Sequence, residues 1–160
     1  MSKLLQSRIF WFWLVIVYAV VILLVCFSPQ NQNPALPTPG VFYQERLAFL
    51  LIPFNSFWNL GQATSLLHAV KIIVQNIMNV FLLYPLVLGC LILKPCLRTA
   101  KRALLLGFLL SLSIELTQLL VDYLWDFNRV FEIDDLWTNT LGAYLAYRTY
   151  LLLDERKMRP

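Results

Sequence analysis

Charge is scarce in this chain of 160 residues: 14% are Asp, Glu, Lys or Arg, against about 25% in an average soluble domain. Histidine occurs once, as His68, and cysteine three times, as Cys26, Cys90 and Cys96. The thiols are scattered, odd in number and without metal-knuckle spacing, and His68 has no ligand partner near it in sequence. They read as small apolar packing groups. With 5 glycines and 8 prolines the chain is neither collagen-like nor low in complexity. There is no nucleotide-binding loop and no stretch that reads as a soluble catalytic domain, which argues against energy-driven pumping by this chain alone. What is abundant is apolar surface: 59% of the residues are hydrophobic. That excess excludes disorder, which needs low hydrophobicity and high charge, and argues against an ordinary soluble globule. The net charge of +4 does not point to nucleic acid, because the basic residues lie between apolar runs, where they set membrane orientation.

Four apolar runs approach the roughly 20 residues that a bilayer-crossing helix needs: about residues 9–27, 72–93, 103–121 and 136–153. The expected fold is a single all-α domain over 1–160, a polytopic integral membrane protein with four transmembrane helices. The first run follows Lys3 and Arg8 as a signal peptide would, but it exceeds the usual signal core and no small-residue cleavage site follows, so it reads as a retained helix. Lys94, Arg98, Lys101 and Arg102 fill the second connection with no acid, and Arg156, Lys157 and Arg159 follow the last run. Residues 122–135 carry five acids against Arg129 alone. The positive-inside rule then places both termini and 94–102 in the cytoplasm and 28–71 and 122–135 outside. Within the first outer segment, 31–39 reads as an extended, proline-rich stretch. LAFLLIPF (47–54) is apolar but too short to span, and the region 47–58 reads as interfacial or re-entrant, with Trp58 at headgroup level. Trp11, Trp13, Tyr123, Trp125 and Trp137 fall near run ends, as an aromatic belt does.

Polar side chains inside spans are costly and default to a functional hypothesis. At 1.5 Å of rise per residue, Asn76 and Asn79 lie about 6 and 10 Å below the outer surface, Glu115 about 9 Å, and Gln118 and Asn139 about 5 Å. Asp134 and Asp135 stand at the mouth of the fourth run. Ser111, Glu115, Gln118 and Asp122 share one helical stripe, as do Asp135, Asn139, Gly142 and Ala146. The expectation is an outward-facing polar cleft of Asn76, Asn79, Glu115, Gln118, Arg129, Asp134, Asp135 and Asn139, with Gly142 and Ala146 packing closely below it. Plainer readings stand beside it. The asparagines serve equally well as interhelical glue, either aspartate as a helix cap, and Arg148 as a snorkelling cation. Pro85 frees the Phe81 carbonyl and either kinks the second span or is tolerated there. Arg129 is the first candidate partner for the Glu115 carboxylate, or a holder of phosphate or carboxylate. No metal site is expected as a rule, although Glu115 and Asp135 leave a divalent cation open.

NIMNVFLLYPL (76–86), the basic turn, LLGFLLSLSIELTQLL (105–120), Arg129 and FEIDDLWTNTLGAYLAY (131–147), preceded by LLIPF (50–54), together resemble the VanZ-like family. The resemblance covers about 47–150. One departure is Leu86 after Pro85, where family members often carry glycine. The resemblance implies a small multi-spanning bacterial plasma-membrane protein whose namesake is associated with low-level resistance to the lipoglycopeptide teicoplanin, without change to the peptidoglycan precursor terminus. It implies partners in the lipid bilayer: a lipid headgroup, a cell-wall precursor or the drug. Three functions remain open: a binding or envelope-modifying protein; an integral membrane enzyme with Glu115 or Asp135 as base; and, last, a channel or transporter, for which the inner halves of the spans are too apolar. Self-association into a homo-oligomer is also open.

Overall fold

The computed structural model describes residues 7–30, 40–61 and 66–158, without the side chains of 56, 59, 60, 67, 68, 71 and 156–158. The readings of Lys3, His68, the 31–39 stretch and the C-terminal basic cluster lie outside that description. The first helix, α1 (Arg8–Cys26), starts where the Ser7 hydroxyl accepts a hydrogen bond from the Phe10 N–H, satisfying one of the orphan donors of a helix N-terminus. Two short strands, β1 (Phe42–Gln44) and β2 (Leu47–Leu50), and a short helix, α2 (Asn55–Leu60), follow. Then come α3 (Leu66–Leu82), α4 (Tyr84–Leu93), a 3₁₀ turn at Pro95–Leu97, and α5 (Ala100–Trp125). A third strand, β3 (Val130–Glu132), leads directly into α6 (Ile133–Met158).

Three stretches among the described residues are long and apolar enough to cross a membrane: Arg8–Cys26, Ile72–Leu93 and Ala100–Trp125. They match the first three expected spans. The second helix begins at Leu66, six residues before its expected start, and breaks at Leu83, two residues before Pro85. The cause is the missing N–H of proline, which leaves the Phe81 carbonyl without its i+4 donor. The Tyr18 hydroxyl, reaching across from α1, donates to that carbonyl at 3.5 Å. The chain therefore kinks here, and the freed acceptor is partnered, as a lipid-excluded backbone requires.

The helices are arranged around α6, which packs on α3, α4 and α5, while α1 packs on α4. Small residues make this closeness workable. A Cβ on Gly142 of α6 would collide with the Val80 backbone carbonyl of α3, and Ala143 and Ala146 are fully buried beside it. The expectation of close packing at Gly142 and Ala146 holds. Leu83, Val87 and Leu91 of α4, Ala103 of α5 and Ala143, Ala146 and Tyr150 of α6 form one apolar core with Trp11, Ile22 and Cys26 of α1. Large apolar side chains such as Val17, Leu24, Met78, Phe108 and Leu116 point outward, as lipid-facing surface does.

The chain is mostly helical, as expected, and one region departs from that expectation. β1, β2 and β3 form a three-stranded sheet in that order, β1–β2 antiparallel and β2–β3 parallel. Ala48 pairs with Val130 and Leu50 with Glu132. LAFLLIPF is short, apolar and alternating: Ala48 and Leu50 are buried, and Leu47 and Phe49 are half-buried. That period of two is a strand signal, but only pairing with the distant 130–132 segment gives the strand its hydrogen-bond partner. Phe49 joins the two sides, stacking on Phe42 with centroids 5.3 Å apart and tilting against Phe131 at 6.2 Å. The segment then turns through Phe54 (φ 59°) into α2, where Phe57 and Trp58 are exposed.

Candidate functional site

The stripe on α5 turns inward as expected: Ser111, Glu115, Gln118 and Asp122 are all buried, Glu115 to 1% exposure. What they meet divides the eight candidate residues into separate groups. The first group joins three helices. Asn79 of α3 donates through Nδ2 to Asp135 Oδ1 at 2.5 Å. Asp135, in the first turn of α6, lies within electrostatic reach of the Glu115 carboxyl of α5. Two carboxyls this near one another resist ionising together, because like charges repel. Glu115 Oε2 also accepts from the Glu132 backbone N–H at 3.0 Å, pinning β3 to the cluster. One turn further along α6, Asn139 donates to Ser111 Oγ at 2.9 Å, and Ser111 Oγ donates to the Asp135 carbonyl at 3.0 Å. The Asn139 Oδ1 atom is buried with no hydrogen-bond partner. A buried unpartnered acceptor is rare and costly.

The second group clamps the end of α1. Arg129 Nη2 donates to the Val25 carbonyl at 2.8 Å and to the Ser28 carbonyl at 2.5 Å, and Nε donates to Ser28 at 3.0 Å. Gln118 Nε2 donates to the Cys26 carbonyl at 2.8 Å. A helix C-terminus leaves carbonyls unsatisfied and carries partial negative charge, so a guanidinium and an amide fit it well. Asp122 in turn fixes the arginine, its Oδ1 accepting from the Arg129 N–H at 3.1 Å. The expected Glu115–Arg129 ion pair is therefore absent. The arginine's charge reaches Glu115 through space, but its donors serve α1.

Asp134 and Asn76 have other contacts. Asp134 Oδ1 accepts from the Phe54 N–H at 2.7 Å and from Trp137 Nε1 at 2.9 Å, tying the turn after β2 to the start of α6. Asn76 Nδ2 donates back to the Ile72 carbonyl at 2.9 Å within its own helix and is not brought to the cluster. Glu132 was missed as a candidate. On β3, outside the spanning helices, its carboxyl is raised to about 8, first by burial and then by the negative charges of Asp135 and Asp134. The signal available for it was the run Glu132-Ile133-Asp134-Asp135, three acids in four residues at a membrane mouth.

Among the described residues no group of three or more His, Cys, Asp or Glu side chains is placed to hold a metal ion. The arrangement is instead an acceptor-rich nest: two neighbouring carboxyls, a third close by and an orphan amide oxygen. The profile of the VanZ/LLP1 family matches residues 12–154, nearly the whole chain. The chain belongs to the VanZ/LLP1 family. The match takes in both polar groups, the sheet and the three apolar spans except the first turn of Arg8–Cys26. Together with its apolar helices, VanZ/LLP1 membership makes this a membrane protein. No curated protein and no solved structure matches it.

Proposed function

We propose that this VanZ/LLP1 member is a multi-pass protein of the bacterial plasma membrane with both termini cytoplasmic. In this reading α6 is the fourth crossing. Its 26 residues reach about 39 Å, and its lower apolarity suits a helix that packs on α3, α4 and α5. The cluster of Asn79, Glu115, Asp135 and Asn139 forms the core of an outward-facing cleft that engages a lipid headgroup, a cell-wall precursor or a lipoglycopeptide. By doing so it lowers access of teicoplanin to its target. The observation that carries the reading is the set of hydrogen bonds from Asn79 to Asp135 and from Asn139 through Ser111 to Asp135, which brings polar groups of three helices to one point where lipid-facing helices would otherwise be apolar. The test is expression in a teicoplanin-sensitive host. Wild type should raise the inhibitory concentration, and Glu115→Gln and Asp135→Asn should return it to the vector level with membrane abundance unchanged. Undiminished protection in both variants overturns the proposal.

The nearness of Glu115 and Asp135 favours a second reading, because neighbouring carboxyls that share one proton are a general acid and base already assembled. In that reading the protein is an enzyme acting on a lipid-linked or headgroup substrate. Mass spectra of lipids and cell-wall precursors should then differ between cells with wild type and cells with Glu115→Gln. Matching spectra would remove this alternative.

A further inference from the structure

The acidic nest has an imbalance of donors and acceptors that specifies the chemistry of what it takes. Glu115 and Asp135 lie within electrostatic reach of one another across α5 and α6, and Ser111 links the Asp135 backbone carbonyl to Asn139, whose amide lies in the α5–α6 interface one turn along α6. The donors present are already committed: Asn79 Nδ2 to Asp135, the Glu132 N–H to Glu115, the Ser111 hydroxyl to the Asp135 carbonyl and Asn139 Nδ2 to Ser111. Arg129, whose charge Glu115 feels, directs its guanidinium at Val25 and Ser28. Asn139 Oδ1, on a residue 1% exposed, is left wanting a donor. The charged and titratable groups around the pair are Glu132 from β3, Asp134 from α6, Arg129 from the preceding loop and Cys26 from α1, and of these only Arg129 is cationic.

We propose that Glu115, Asp135 and Asn139 bind a primary ammonium group in place of a proton that the two neighbouring carboxyls share in the empty nest. An ammonium carries three N–H donors and no acceptor, matching three acceptors from two facing helices. The exchange balances: the ligand brings one positive charge, the shared proton leaves to water, and the charge of the nest is unchanged. An anion is disfavoured by the local negative charge. A divalent metal is poorly served, because the described residues offer no group of three ligating side chains. The proposal rests on the cleft reading above and names its ligand class. Its sources are an ethanolamine phospholipid or the free side-chain amine of a cell-wall peptide.

The experiment is calorimetric titration of the purified full chain in phosphatidylglycerol nanodiscs, in phosphate and in MOPS, whose heats of ionisation differ. The probes are short-chain phosphatidylethanolamine, a lysine-bearing peptide, short-chain phosphatidylglycerol and sodium chloride. At least one amine probe should bind with about one proton released per ligand, and which one binds identifies the source. Phosphatidylglycerol and sodium should give no such exchange. Glu115→Gln and Asn139→Leu should weaken amine binding by about tenfold or more, while Asn139→Asp, which keeps an acceptor, should retain it. Failure of both amines to bind, binding without proton release, the same exchange with sodium, or undiminished binding in Glu115→Gln each overturns the proposal. Drug sensitivity is not part of this readout, so loss of the resistance reading leaves it standing and its own failure leaves that reading testable.

Discussion

Arg129 shows how far one side chain's role depends on what its neighbours leave unsatisfied. In sequence it is the lone cation of an acidic segment, and the nearest buried acid, Glu115, is the natural partner. In the fold the exposed carbonyls at the end of α1 claim it instead. A hydrogen bond from a charged donor is worth about 1.5–3 kcal/mol. Arg129→Gln should therefore lower the melting temperature of the detergent-solubilised protein by several degrees. Arg129→Lys, which keeps the charge but loses the two-pronged geometry, should fall between the two. A melting curve of Arg129→Gln that superimposes on wild type would show that the clamp carries no stability. The same reasoning separates Glu115 from Gln118. They lie three residues apart on one stripe, yet one lies near a second carboxyl and the other meets a helix end.

At the scale of elements, the contact between α3 and α6 sets the depth at which Asn79 can meet Asp135. The two helices touch at Val80 and Gly142, and the glycine has no space for even a methyl group. Gly142→Ala should push α3 off α6, destabilise the protein by at least about 1–3 kcal/mol, and separate Asn79 from Asp135. A thermal-shift measurement checks the first consequence. Full retention of stability would mean that the helices slide at no cost. The sheet acts at the same scale. β3 is held by Glu115 from below and pairs with β2 along its edge, so the segment before the second span is anchored over the carboxyl nest rather than free. Asp134, holding the Phe54 N–H, fixes the turn that follows β2.

For the molecule as a whole, the asymmetry of charge gives an orientation that a single native thiol can test. Cys96 is exposed in the basic connection, whereas Cys26 is buried. A membrane-impermeant maleimide should label Cys96 in inside-out vesicles and fail to do so in intact cells. Labelling of intact cells at Cys96 would invert the topology and turn the polar cluster toward the cytoplasm. The order of helices also explains why α6 reads weakly as a span. It packs on α3, α4 and α5 and leaves Leu141, Leu145 and Leu152 exposed, and its Thr138, Asn139 and Asp134 are buried with hydrogen bonds.

The amino-acid sequence alone determined the three strongly apolar helices, because bilayer-length hydrophobicity is a local property. It also determined the inward stripe of α5 and the close approach at Gly142, since each follows from helical period or residue size, whereas at Pro85 it left a kink and a tolerated proline both open. Only the tertiary structure decided the sheet, because a strand of four residues exists through its partner and 130–132 lies some eighty residues away. Tertiary structure also decided which buried polar groups meet. Glu115, Gln118, Arg129, Asp134 and Asp135 are alike in sequence as polar residues at one depth. Their roles diverged because α1, whose C-terminal carbonyls are invisible to pattern and period, arrived beside two of them and not the others.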